Sequence, residues 1–293
     1  MTALRRLLVA WAAAALAGAP HAAAQDDGVC VAISGGAHAV VAEAARRAVG
    51  ARASIVDVHR RGGRRELAAR CGRLVIAVGP EALRAARESA PNAPIVHVMA
   101  PGAPPGGPGV SPDADPRRVL DALRKMAPRV RRIGAVYDPA ATGELVAQAQ
   151  QAARDRGMEL VALPARDVGE AVRAFHRFEK ELPVDALWLL PDGTTTVQET
   201  LYYALEIAHW RRMAVIGLSR WYVANGALFA LLPTPEAYGK AAGELGRQVL
   251  GGSAPEGIVH AQDHALYLNA RTADRLGLKL SREIRNEAAE VLQ

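Results

Sequence analysis

Asp192, Gly193 and Thr194 are the residues of this chain whose types and placing best suit chemistry. They follow the apolar run Ala186-Leu187-Trp188-Leu189-Leu190 and precede a helix-forming stretch. A continuous apolar run suits a strand covered on both faces, as in a parallel sheet. Thr196 and Glu199 have the spacing of a capping box, which predicts a helix start there, and Ala214 to Leu218 is the next buried strand. The polar turn is thus expected at the carboxyl end of a parallel strand, where open α/β sheets hold ligands. Asp192 could accept an ammonium group, or could only cap the helix that follows. Thr194 and Thr195 could donate to a ligand or share the capping role.

Other strand ends offer similar groups. Ser34-Gly35-Gly36 and Gly79-Pro80 each follow an apolar run and open a helix. Unpaired N–H groups at such helix starts can hold an anion, or the turns can be plain connections. Ser34 to Gly36 lacks both the full dinucleotide fingerprint and a P-loop lysine. Tyr137 and Asp138 close the strand Ile133 to Tyr137, and the tyrosine could stack on a planar ligand or pack in the core. Ser219, Arg220 and Trp221 follow another strand. There an arginine could fork a carboxylate and a tryptophan could stack, or the group could be a surface loop. No G-x-S-x-G elbow, H-E-x-x-H pair or recognisable nucleophile–base order is present, so no enzyme activity is expected. With no CxxC and no His/Cys cluster, no metal or cofactor is expected either.

The elements that must position these residues alternate strand and helix. Strands are expected at Val29–Ser34, Ser54–Val58, Leu74–Val78 and Ile95–Met99, and the Pro/Gly-rich stretch 101–116 breaks the pattern. Asp115 and Pro116 then open a helix through Met126. The alternation resumes with the strand Ile133–Tyr137, a helix capped by Thr142, the strand Leu160–Leu163, a helix opened by Asp167 with Glu170, and the strands Ala186–Leu190, Ala214–Leu218 and Ala227–Leu232. A helix Pro235–Leu250, a last strand Ala265–Leu268 and two short helical pieces complete the chain. The expectation is an α/β protein of two doubly wound lobes joined by three crossings, near residues 110, 232 and 260. One lobe spans 26–112 plus about 234–258, the other 116–232 plus about 262–293.

Residues 1–24 have the form of a cleavable secretory signal: Arg5-Arg6, an apolar core Leu7–Leu16, and Ala22-Ala23-Ala24 before Gln25. A periplasmic protein is expected. The chain of 293 residues carries a formal charge of +6, of which the signal supplies two arginines. No basic stripe interleaved with aromatics occurs, which argues against nucleic acid. Export permits a disulfide. Cys30 starts the first strand and Cys71 precedes the third. These strands are neighbours in a doubly wound sheet, so the two cysteines could pair or remain separate buried thiols.

Several stretches in common order resemble the periplasmic substrate-binding proteins of ABC transporters, in the group similar to the tryptophan/tyrosine-binding component. They are Ala77-Val78-Gly79-Pro80-Glu81-Ala82, Arg132 to Pro139, Leu190-Pro191-Asp192, Asn225 to Leu228, Tyr238-Gly239, Leu250-Gly251-Gly252 and Leu268 to Leu278. The resemblance implies the type I periplasmic-binding-protein fold. It also implies a small ligand in the interlobe cleft, with an amino-acid-like molecule as one option, and a monomer that meets a membrane permease and ATPase. An alternative is a periplasmic sensor or accessory protein of the same fold. Two departures from the family pattern stand out: Met99 to Pro105 replaces its ligand-facing loop, and Gly193 stands where relatives have asparagine.

Overall fold

The computed structural model describes residues 27–50, 52–100, 107–253, 255 and 257–293. The expected signal at 1–24 and the start of the Pro/Gly-rich stretch lie outside the described residues. Two sheets organise the rest. The first is built from β1 (Val29–Ile33), β2 (Ser54–Asp57), β3 (Leu74–Val78), β4 (Ile95–Val98), β5 (Gly109–Val110) and β11 (Ile258–Val259), in the order β11-β5-β4-β3-β1-β2, all parallel. The second has the order β13-β12-β10-β9-β8-β6-β7. Its strands are β6 (Arg132–Tyr137), β7 (Glu159–Pro164), β8 (Ala186–Trp188), β9 (Ala214–Gly217), β10 (Phe229–Pro233), β12 (His264–Asn269) and β13 (Ala288–Leu292). Only the β10–β12 pair is antiparallel.

Side-chain alternation along each strand explains the layers. In the first sheet Val29, Val31 and Ile33 point to one face with Leu74, Ile76 and Val78, beneath α1 (Ala39–Val49) and α9 (Pro235–Leu250). Cys30, Ala32, Val75 and Ala77 point to the other, beneath α2 (Gly63–Arg70) and α3 (Pro80–Ser89). On that face the Cys30 and Cys71 sulfur atoms are bonded, with Cα atoms 5.5 Å apart. In the second sheet Ile133, Ala135, Ala186, Trp188 and Ile216 meet α4 (Pro116–Met126), α5 (Pro139–Arg154), α10 (Ala270–Arg275) and α11 (Arg282–Glu287). Val136, Leu187, Leu189 and Val215 meet α6 (Val168–Lys180) and α7 (Gln198–Arg211).

The local punctuation mostly follows the sequence. Asp115 caps α4 by accepting from Arg117 N at 2.9 Å, and Asp167 caps α6 by accepting from Glu170 N at 2.7 Å. Three expectations are corrected. The helix after Asp192 starts at Gln198, not at Thr196. The Thr196 hydroxyl donates to Leu190 O at 2.7 Å, and Thr200 Oγ1 accepts from Val197 N at 3.1 Å. Asp138, not Thr142, caps α5, with Pro139 at the first helical position. The chain does not close on helices alone: β13 pairs with β12. Ala288-Ala289-Glu290-Val291-Leu292 consists largely of helix formers, but the open edge of β12 offers backbone partners, and the tertiary pairing overrides local propensity. A short helix, α8 (Arg220–Ala224), follows β9.

Candidate functional site

The parallel strands β8, β9 and β10 end side by side, and their carboxyl ends form one wall of a cavity of about 340 Å³. Trp188 and Pro191 come from the end of β8, Ile216 to Leu218 from β9, and Leu231 and Leu232 from β10. Val119 of α4 and Leu145 of α5 complete the second-sheet side. Pro112, Asp113 and Ala114, on the crossing between the sheets, and Tyr238 of α9, from the first-sheet side, close it. A wider depression of about 610 Å³ lies between α4, β12 and α11. No first-sheet residue lines it, so the smaller cavity is the one that both halves of the molecule share.

Asp113 is the charged side chain in the smaller cavity. Its backbone is held: its N–H donates to Ser111 Oγ at 3.1 Å, and its carbonyl oxygen lies 3.1 Å from His260 Nδ1. His260 Nε2 is 3.0 Å from Gln148 Oε1 of α5. The Asp113 carboxylate itself has no hydrogen-bond or ion-pair partner among the described residues. Burial pushes its pKa up to about 6, against a smaller lowering by His260. The Tyr238 hydroxyl donates to Pro112 O, and burial, reinforced by the Asp113 charge, holds its pKa above the ordinary phenol value. The site is therefore an apolar chamber with one unpaired acid.

The residues expected from the sequence fall into three groups. Ser34, Gly35, Gly79 and Pro80 gather at the carboxyl ends of β1 and β3. Gly35, at φ +86°, donates its N–H to Asp57 Oδ1 at 3.2 Å. Gly79, at φ +89°, donates to Val98 O at 2.9 Å. A Cβ on Gly79 would lie 3.4 Å from the His38 ring and 3.8 Å from Ser34 Oγ. Pro80 is exposed at the start of α3.

Tyr137, Asp138, Asp192, Gly193 and Thr194 form the second group, knitted by hydrogen bonds. Asp192 is buried. Its Oδ1 accepts from the backbone N–H groups of Thr194 and Thr195 at 3.1 and 2.5 Å, and its Oδ2 accepts from Asp138 N at 3.2 Å and Thr142 Oγ1 at 3.3 Å. The Thr195 hydroxyl adds a contact of 2.7 Å. Thr194 Oγ1 donates to Asp138 Oδ2 at 2.7 Å. This bond and the Ala140 N–H hold the Asp138 carboxyl below its ordinary range. Tyr137 is half-buried against the core, and Gly193 is exposed.

The third group is Ser219, Arg220 and Trp221. Ser219 precedes α8, Arg220 pairs with Glu290 of β13 at 2.5 Å, and Trp221 stands 48% exposed, edge-on to Tyr222. None of the three groups lines the 340 Å³ cavity, although their immediate neighbours Pro191 and Leu218 do. Sequence reading passed over Asp113, Trp188 and Tyr238. Asp113 lies in a stretch without periodicity, Trp188 reads as part of a buried strand, and Tyr238 stands out only within a family-like stretch.

The described residues contain no group of three or more His, Cys, Asp or Glu placed to hold a metal ion, and no helix long and apolar enough to cross a membrane. No curated protein sequence matches the chain. Solved structures do. One is a ligand-free, open substrate binding protein with adhesive properties from Clostridium difficile, with TM-score 0.61 and 16% identity. Another is an ABC domain in complex with L-Trp from Streptococcus pneumonia, with TM-score 0.54 and 16% identity. A third is a conserved domain protein from Vibrio cholerae, with TM-score 0.53 and 18% identity. Each comparison covers 90% of this chain and 98% of the other. At these identities the likeness is one of fold: two α/β lobes of the periplasmic-binding-protein type I. The family model described as ABC transporter substrate binding protein matches residues 107–292. That match covers more than half of the chain, and the protein belongs to the ABC transporter substrate binding protein family.

Proposed function

We propose that this protein is the exported, periplasmic component of an ABC-type import system. It would bind a small amine-bearing metabolite between its lobes and present it to a membrane permease and its ATPase. The observation that carries this reading is the cavity of about 340 Å³ at the ends of β8, β9 and β10, shared by both halves of the molecule and lined by one unpaired acid. Its size lies within the range typical of small-molecule sites, and strand carboxyl ends are where such sheets place ligands. An ammonium group is the natural partner for the Asp113 carboxylate, in keeping with the amino-acid-like class implied by the sequence.

The same reading assigns lobes at 26–112 plus about 234–258 and at 116–232 plus about 262–293, closing about three crossings. On closure, Ser34, Gly35, Gly79 and Pro80 of the first lobe would approach Tyr137, Asp138, Gly193 and Thr194 of the second. These form the proposed outer rim of the site. A thermal-shift screen of the mature protein against amines, amino acids and other small metabolites tests the proposal. Stabilisation by at least one of them, lost when Leu218→Trp fills the cavity, is the expected result. A flat response in a folded protein would overturn it.

A further inference from the structure

We infer that the cleft is built for an apolar amine without a carboxylate: a small aromatic or alkyl monocation whose ammonium group sits on Asp113. This inference rests on the reading of the interlobe cavity as the ligand site, and narrows its chemistry.

The cavity wall contains one acid and no basic side chain. An amino acid would bring two charges into it. Its ammonium would find Asp113, but its carboxylate would be taken out of water with no cation to meet it. Burying an unpaired carboxylate is among the costliest steps in recognition. The polar groups at the edge and on the proposed rim do not relieve this cost: Gly35 and Gly79 already donate their N–H groups to Asp57 Oδ1 and Val98 O, and the Thr194 hydroxyl donates to Asp138 Oδ2. The Tyr238 hydroxyl is already committed as a donor to Pro112 O, and His260 is turned to the Asp113 carbonyl and to Gln148. Arg220, one of whose two readings from the sequence is to fork a carboxylate, is paired with Glu290.

The remaining wall is aliphatic or aromatic. Trp188, Leu145 and Leu218 offer area for a ring or chain, and a tryptophan ring also attracts a cation. A site with one unpaired polar requirement in an apolar wall discriminates sharply, because a ligand that lacks its partner, or brings a polar group the site cannot serve, loses far more than one extra methylene would cost it.

Tryptamine, L-tryptophan and indole-3-propionate share one ring and differ in charge, which makes them the direct probes. Calorimetric titration of the mature protein at neutral pH should give tryptamine an affinity about tenfold or more above that of L-tryptophan, and no measurable binding of indole-3-propionate. Asp113→Asn, with its melting temperature as the control for folding, should weaken tryptamine about tenfold or more. Three results would overturn the inference: L-tryptophan binding as tightly as tryptamine, no binding of tryptamine, or tryptamine binding that ignores Asp113→Asn. The reading of the cleft as the ligand site fails separately, through binding that survives Leu218→Trp.

Discussion

As the proposed seat of an ammonium group, Asp113 would couple two processes, folding and ligand binding, to pH with opposite sign. Its folded pKa of about 6 lies above the ordinary carboxyl value of 3.8, so the folded protein holds the proton more tightly than the unfolded chain. Protonation therefore favours the fold, and this contribution is lost as pH rises from about 4 through about 6. The titratable groups beside it are His260, whose field opposes the shift, and Tyr238, on which the Asp113 charge acts. The urea midpoint of the wild type, referenced to Asp113→Asn, should fall over that interval and level off above about pH 7. Amine affinity should move the other way, rising over the same interval and levelling off once the carboxylate is ionised. A midpoint difference that rises with pH would show that Asp113 is stabilised as the anion.

Asp192 illustrates what residue types alone convey. Its place at a strand end was legible, but an aspartate that receives a ligand and one that receives backbone N–H groups have the same local sequence. Here its two oxygens gather donors from Asp138, Thr142, Thr194 and Thr195. Asp192→Ala would leave several of them buried and unpaired, at a cost of about 2–4 kcal/mol, with Asp192→Asn milder. Equilibrium denaturation measures both, and a loss below about 0.5 kcal/mol for the alanine variant would contradict this account.

At the scale of elements, the strongest local signals survive and the tertiary ones surface only in three dimensions. Apolar runs mark the parallel strands, and the Asp115-Pro116 pair marks a helix start; Asp138-Pro139 carries the same signal but reads equally as a strand end, with Thr142 as the competing cap. Nothing in the periodicity of α9 announced how closely it approaches α1. A Cβ on Gly239 would lie 2.3 Å from Val41 O, and one on Gly243 would lie 2.5 Å from both Ala45 O and Ala48 Cβ. The two helices are thus in backbone contact through small residues. Gly243→Ala should force them apart and lower stability by about 1–3 kcal/mol, measured by chemical denaturation. Ordinary helix propensity predicts the opposite sign, because alanine is the better helix former by about 1 kcal/mol. The sign of the change therefore decides between close packing and local preference.

The Cys30–Cys71 bond acts on the same lobe from its other face. It closes a loop across 41 residues and ties the start of β1 to the end of α2. Restricting the unfolded chain over such a loop is worth about 2–4 kcal/mol. A Cys30→Ala/Cys71→Ala double variant should lose that much, with little change in ligand affinity, because both positions lie on the face of the first sheet opposite α9 and outside the cavity wall.

The whole molecule joins its two sheets through β5 to α4, β10 to α9 and β11 to β12. The repeated strand–helix alternation made the two-lobed plan readable. The short pair β5–β11 was not, because two-residue strands carry no periodicity and exist only through their partners. These connections lie next to the cavity, and they are cross-linked by Tyr238 to Pro112, by His260 to Asp113 and Gln148, and by Arg118 to Gln262. A ligand that draws Asp113 toward its ammonium therefore pulls on the crossing that carries Pro112, and the hydroxyl of Tyr238 conveys that pull to α9. Closure by rotation about such connections is the common response of two-lobed binding proteins. Solution scattering should register it as a fall in radius of gyration on the order of 1 Å, from a starting value of roughly 18 Å, when tryptamine saturates the wild type. Tyr238→Phe removes the link while keeping the ring, so the apo protein should fold normally but close less completely at the same occupancy. Scattering that is identical with and without bound ligand would mean that the lobes are already set in their binding arrangement, and that Asp113 recognises its ligand without moving the crossing.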